Sequence, residues 1–144
     1  RSVINLGFSG NALLDLEIAT LMAAVPDPAV YVLDHVPNAS AEQIAQKGEA
    51  FFRILRDAHP GVPVIFVEDP HFAHGIVEEV RVKNLAQKAL FERLQAAGET
   101  GLYYVPSGEM TTQEDFVDGI HFTDQGMVHY ARLLLPVLLE ALSE

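Results

Sequence analysis

Four short stretches of this chain hold residues able to do chemistry. In "DGIH" (118–121), Asp118 and His121 stand three apart, a spacing that brings side chains together in a helical turn or its lead-in. An aspartate that accepts from one imidazole nitrogen fixes the tautomer and leaves the other nitrogen as a general base. The plainer alternative is an aspartate that starts a helix beside a surface histidine. In "DHVPNAS" (34–40), the Asn38 amide suits a developing oxyanion, because fixed N–H dipoles stabilise charge without reorganising. It also suits an ordinary turn, with Asp34 bonding the loop. In "NLGFSGN" (5–11), Gly7 and Gly10 allow the backbone to approach a ligand, or simply make a tight strand-to-helix connection. The stretch lacks dinucleotide-binding glycine spacing and the Lys-Ser/Thr of a phosphate loop, which argues against phosphate. "EDPHFAHG" (68–75) collects Glu68, Asp69, His71 and His74, donors for a divalent metal. No further paired ligands accompany them, and no metal site is assigned. His35, His59 and His129 read as loop, helix-end and helix-surface residues without a role.

These stretches need a scaffold, and the hydrophobic pattern describes one. Four apolar, β-branched runs, "SVINL" (2–6), "AVYVLD" (29–34), "VPVIFVED" (62–69) and "GLYYV" (101–105), have little polar alternation and read as buried parallel strands. Helical stripes lie between them: Leu13, Leu14, Ile18, Leu21 and Met22, then Ile44, Phe51, Phe52 and Leu55. Ser40 and Gln43 have capping-box spacing, and "HPGVP" breaks the second helix. A third helix is expected from about Val77 to Ala97, closing at Gly98. The last should follow Thr123 as N-cap, bury Met127, Ala131, Leu134, Leu135, Leu138 and Leu142, and kink at Pro136. The order βαβαβαβα predicts a single-domain α/β sandwich with a parallel sheet and right-handed crossovers. Ligands in such folds sit beyond the carboxyl ends of the strands, where all four stretches fall.

Composition narrows the chemistry further. Twenty acidic against nine basic residues give a net charge of −11, a field that repels phosphate backbones and anionic headgroups, so neither nucleic acid nor a membrane surface is an expected partner. There is no cysteine, which excludes disulfides, thiolate catalysis and cysteine-ligated zinc.

"VINLGFSGN", "YVLDHVPN", "VED" and "DGIHFTDQG", in this order, resemble the second, third and fifth blocks of the SGNH hydrolases, the GDSL-like esterases and acylhydrolases. The likeness spans the chain and is closest to the branch whose third block reads proline-asparagine. It implies a three-layer α/β/α sandwich of flavodoxin-like SGNH type. It also implies carboxylic ester hydrolysis through a Ser-His-Asp triad, with no cofactor and a small-molecule, carbohydrate or acyl ester as substrate. Carried over residue by residue, Asp118 and His121 become acid and base of the triad, and Gly10 and Asn38 become oxyanion-hole donors.

The resemblance also exposes a departure. The family's nucleophile comes from a Gly-Asp-Ser turn after the first strand of the domain, and no Gly-Asp-Ser occurs in this sequence. One reading is truncation at the N-terminus: the nucleophile strand lies in a separate segment or another chain, and that segment, or self-association, completes the sheet between residues 2–6 and 29–34. A fragment without that strand would leave buried strand edges unpaired and could be inactive. A second makes Ser9 the nucleophile, although "GFSGN" lacks the last glycine of the G-x-S-x-G elbow. The third is a non-catalytic ligand-binding or interaction module that keeps the pocket.

Overall fold

A computed structural model describes residues 2–70, 77–107 and 113–143. The described elements run α1 (Leu16–Ala23), β1 (Tyr31–Leu33), α2 (Ala41–Ala58), β2 (Val64–Val67), α3 (Val77–Ala96), β3 (Leu102–Val105), a 3-10 turn (Gln113–Asp115) and α4 (Asp124–Ala141). The strands form a parallel sheet in the order β1-β2-β3, with Tyr31 opposite Val64 and Val64 opposite Leu102. Val64, Ile65, Phe66 and Val67 are all fully buried, as an unbroken apolar run in a central parallel strand must be.

Alternation along the strands sorts the core into two layers. Tyr31, Leu33, Val64, Phe66, Leu102 and Tyr104 face α1, α2 and α3, where Ile44, Phe52, Leu55, Leu90 and Leu94 close the packing. Val30, Val32, Ile65, Val67, Tyr103 and Val105 face α4 instead. The result is the expected α/β/α sandwich. Ser40 and Gln43 make the predicted reciprocal capping box at the start of α2. At Gly48 α2 meets α3 so closely that a Cβ would lie 2.4 Å from a Leu90 methyl.

α4 begins at the predicted Thr123 cap and continues through Pro136, but its buried face differs from the expected one. Tyr130, Leu133, Leu134, Val137, Leu138 and Ala141 pack toward the sheet, whereas Met127, Ala131 and Leu135 point outward. The helix is apolar around most of its girth between 133 and 139, so spacing alone does not select the face.

Residues 2–6 also depart from expectation. They form no strand, and Val3 and Ile4 are 90% and 61% exposed. A strand needs a neighbour for its N–H and C=O groups, and none of the described strands lies beside this segment. Between residues 2–8 and β1 runs a groove of about 1020 Å³. Ile18, Met22 and Phe51 line one side, and Leu134 and Leu138 of α4, with Leu142 just after it, line the other. Tyr31 donates to Pro63 across the β2 side of β1, so by alternation the N–H and C=O of Val32 point into the groove.

Candidate active site

A pocket of about 420 Å³ opens at the carboxyl ends of the strands, lined by the turn at Gly7–Gly10, by Asp34, Pro37 and Asn38 after β1, by Asp69 and Pro70 after β2, and by Ile120, His121, Phe122, Met127 and Tyr130. Three of the chemically equipped stretches therefore meet in one cavity, and Asp69 joins them from the fourth.

The His121 loop is built to hold its shape. Asp118 Oδ1 accepts from the backbone N–H groups of Ile120 and His121 at 3.0 and 2.8 Å, and Gly119 takes the positive φ of 88° that the turn requires. The other carboxylate oxygen, Oδ2, lies 2.7 Å from His121 Nδ1. An ionised carboxylate only accepts, so Nδ1 carries a proton, and in the neutral imidazole Nε2 keeps its lone pair. These bonds, those to the two backbone N–H groups and to the imidazole, hold the Asp118 carboxyl well below the usual range. It stays an anion through neutral pH.

Below the dyad, the loop is tied to α4. Phe116 and Phe122 pair as an isolated antiparallel bridge with stacked rings 5.3 Å apart, and Phe122 packs on Tyr130 at 5.2 Å. Thr123 Oγ1 accepts from Gly126 N–H at 3.1 Å, while its own hydroxyl donates to the Glu114 carbonyl at 3.0 Å. His129 on α4 meets Asp115 at 2.8 Å.

Gly10 and Asn38 sit on short turns. Asn11 N–H donates to Phe8 O at 2.9 Å, and Gly10 inside that turn has φ of 66°. The Asn38 and Ala39 N–H groups both return to the His35 carbonyl, leaving the exposed Asn38 side chain at the pocket wall. Ser9 lines the same pocket, and its carbonyl accepts from the Asn11 side chain at 2.7 Å.

Sequence reasoning missed two residues as members of this site. The protein crowded around Asp34 raises its carboxyl above the usual range, with the nearby Tyr130 hydroxyl opposing the rise. Asp69 is fully buried, and neither carboxylate oxygen has a hydrogen-bond partner among the described residues. Burial pushes its pKa up to about 7, with nearby Asp34 and Glu79 adding to the rise and Lys83 opposing it. Each is an acidic residue ending an apolar strand run, the signal that could have flagged them.

Of the metal donors singled out in the sequence, Glu68 and Asp69 are described. Both Glu68 oxygens are engaged, one by the Tyr104 hydroxyl at 2.6 Å and one by Ser107 N–H at 2.7 Å. His71 and His74 lie outside the described residues. Among the described residues no three His, Asp or Glu side chains are grouped to hold a metal ion.

The family model of the GDSL-like lipases and acylhydrolases matches residues 1–139. The chain belongs to this GDSL-like lipase/acylhydrolase family. A crystal structure named as a GDSL-like lipase from Bacteroides ovatus superposes with a TM-score of 0.92 at 29% identity, covering 97% of this chain. The salicylyl-acyltransferase SsfX3 from a tetracycline biosynthetic pathway gives a TM-score of 0.69 at 15% identity over 88% of this chain, a likeness of fold. The chain spans 43% and 41% of the lengths of these two structures. No curated protein matches. Among the described residues no helix is long and apolar enough to cross a membrane.

Proposed function

We propose that this chain carries the base, orienting acid and oxyanion donors of a serine esterase, an acylhydrolase of carboxylic esters. The observation that carries the reading is the 2.7 Å His121–Asp118 contact at the rim of a pocket that also holds Asn38 and Gly10.

In the proposed cycle, His121 Nε2 removes the proton of a serine hydroxyl as that oxygen attacks the ester carbonyl carbon. The carbonyl electron pair moves onto oxygen, where the Asn38 amide and Gly10 N–H receive the charge. Collapse breaks the C–O bond to the alcohol, which leaves with the proton from His121. Water then attacks the acyl-serine, giving its proton to His121, and serine and free acid are regenerated. Asp118 stays ionised throughout and steadies the imidazolium.

The serine is proposed to come from a separate segment, in the natural protein or a partner chain, that enters the groove as a parallel strand between residues 2–6 and β1. Its carboxyl end would reach the pocket beside Asp34, which lines both cavities. Two faces of apolar side chains and the unpaired Val32 edge favour such a strand. Ser9 is the rival nucleophile, because it lines the pocket. If neither serine reacts, the chain is a ligand-binding module.

Hydrolysis of a chromogenic short-chain ester by the natural protein tests the reading. Asn38→Ala should lower kcat about a hundredfold or more while KM changes little. An unchanged kcat would remove Asn38 from the oxyanion site.

A further inference from the structure

Spacing marks His129 as a helix-surface residue, but in the fold it is half-buried and lies against the loop that carries His121. Its Nδ1 is 2.8 Å from a carboxyl oxygen of Asp115, whose side chain is buried. A carboxylate accepts, so the imidazole donates, and a bond to a charged group is both stronger and more directional than apolar contact. Asp115 closes the 3-10 turn and forms the foot of the His121 loop, where its carbonyl also accepts from Thr123 N–H at 2.9 Å.

One face of α4 is shaped to receive that foot. Gly126, His129 and Tyr130 stand at i, i+3 and i+4 and so lie together on the helix. At Gly126 no Cβ holds the Asp115 backbone away; one turn on, His129 takes the Asp115 carboxylate, and Tyr130 packs on Phe122 at the loop's other end. Ring contacts resist separation but let surfaces slide, whereas the Asp115–His129 bond fixes the foot along the helix axis. The β2 end of the pocket is held by a comparable clamp from α3. There the Asp69 N–H donates to Asn84 Oδ1 at 2.8 Å and the Asp69 carbonyl accepts from Asn84 Nδ2 at 2.9 Å.

The seat matters because the His121 side chain is 78% exposed, so packing does little to place it. Where Nε2 points is set by the loop, and where the loop stands is set by its foot. A displacement of about 1 Å in a catalytic group can cost about a hundredfold in rate.

We propose that His129, acting through Asp115, is a positioning residue for His121: a second His–Asp pair that seats the loop carrying the first. Neither His129 nor Asp115 lines the pocket, so the pair works on the placement of the base and not on the substrate. Its effect on turnover rests on the esterase reading, whereas the seating is read on this chain alone.

The test compares His129→Leu with His129→Asn, whose side-chain N–H can stand where Nδ1 stood and keep the bond to Asp115. Gly48→Ala, which crowds the α2–α3 contact at Leu90, serves as a variant destabilised elsewhere. In NMR spectra of this chain, the His121 ring C–H signals and the Ile120 and His121 amide signals should shift and broaden in His129→Leu. They should stay at their parent positions in His129→Asn and in Gly48→Ala. In the natural protein, His129→Leu should lower kcat about tenfold or more with KM little changed, and His129→Asn should recover most of that loss. Signals unmoved in His129→Leu, or moved as far in His129→Asn or Gly48→Ala, overturn the proposal, as does an active enzyme whose kcat is indifferent to His129→Leu. If the natural protein hydrolyses no ester, the esterase reading alone is lost, and the seating is decided by the NMR signals.

Discussion

A Cβ placed on Gly126 would lie 2.1 Å from the Asp115 carbonyl oxygen, so the first turn of α4 presses directly against the base of the loop that carries His121. The obstacle is backbone, which cannot swing aside as a flexible side chain would. Gly126→Ala must therefore push the loop off α4, straining the Thr123 cap and the Phe116–Phe122 bridge. The expected cost is about 1–3 kcal/mol of stability, read by urea denaturation. The His121 ring signals should shift as well, although position 126 does not line the pocket.

Asp118 does two jobs, which one substitution can separate. Asparagine keeps an oxygen for the two backbone N–H groups and so preserves the turn, but its amide no longer holds a proton on Nδ1. Asp118→Asn in the natural protein should leave the circular dichroism spectrum unchanged and cut kcat by about a thousandfold or more. A loss of less than about tenfold would assign Asp118 to the turn alone.

Two buried groups should give stability opposite pH slopes. Asp69 has a folded pKa raised from 3.8 to about 7, so the folded protein holds a proton that the unfolded chain releases, and stability falls as pH rises through that window. His35 is lowered from 6.5 to about 4 by burial, so the unfolded chain takes up a proton the folded one refuses, and stability falls as pH drops from 6.5 toward 4. Alone, the Asp69 slope should span about 4 kcal/mol and the His35 slope about 3 kcal/mol, since every tenfold change in proton affinity between the folded and unfolded chain is worth roughly 1.4 kcal/mol. The two windows nearly coincide, so in the parent the slopes largely cancel between about pH 4 and 6.5; denaturation there should show stability rising with pH in Asp69→Asn and falling with pH in His35→Gln, with Asp69→Asn more stable than the parent at pH 8.

The open edge of β1 carries its own expectation. The Val32 amide points into the groove, so hydrogen exchange there should be fast in this chain alone, while Tyr31, bonded to Pro63, exchanges slowly. In a protein whose groove holds a strand, Val32 should be protected by at least about a hundredfold.

Local signals carry much of this architecture. The Ser40–Gln43 box, the Thr123 cap and the unbroken run at 64–67 depend on neighbours in sequence, and each is visible there. Composition marks residues 2–6 as a strand, but pairing is a property of what lies alongside. The buried face of α4 is hidden because leucine and valine surround the helix. In the site, Asp118, His121, Asn38 and Gly10 stand out through turn chemistry and spacing. Asp69 does not, because its burial and its clamp come from Asn84, fifteen residues on, and its neighbour Asp34 comes from another strand.

The central claim is that His121 activates a serine at this pocket. Its most direct test is fluorophosphonate labelling of the natural protein, followed by peptide mapping by mass spectrometry. One serine should be modified, the labelling should be lost in His121→Ala, and it should persist in Ser9→Ala if a strand in the groove supplies the nucleophile. Absence of labelling, or labelling that is indifferent to His121, would contradict the account.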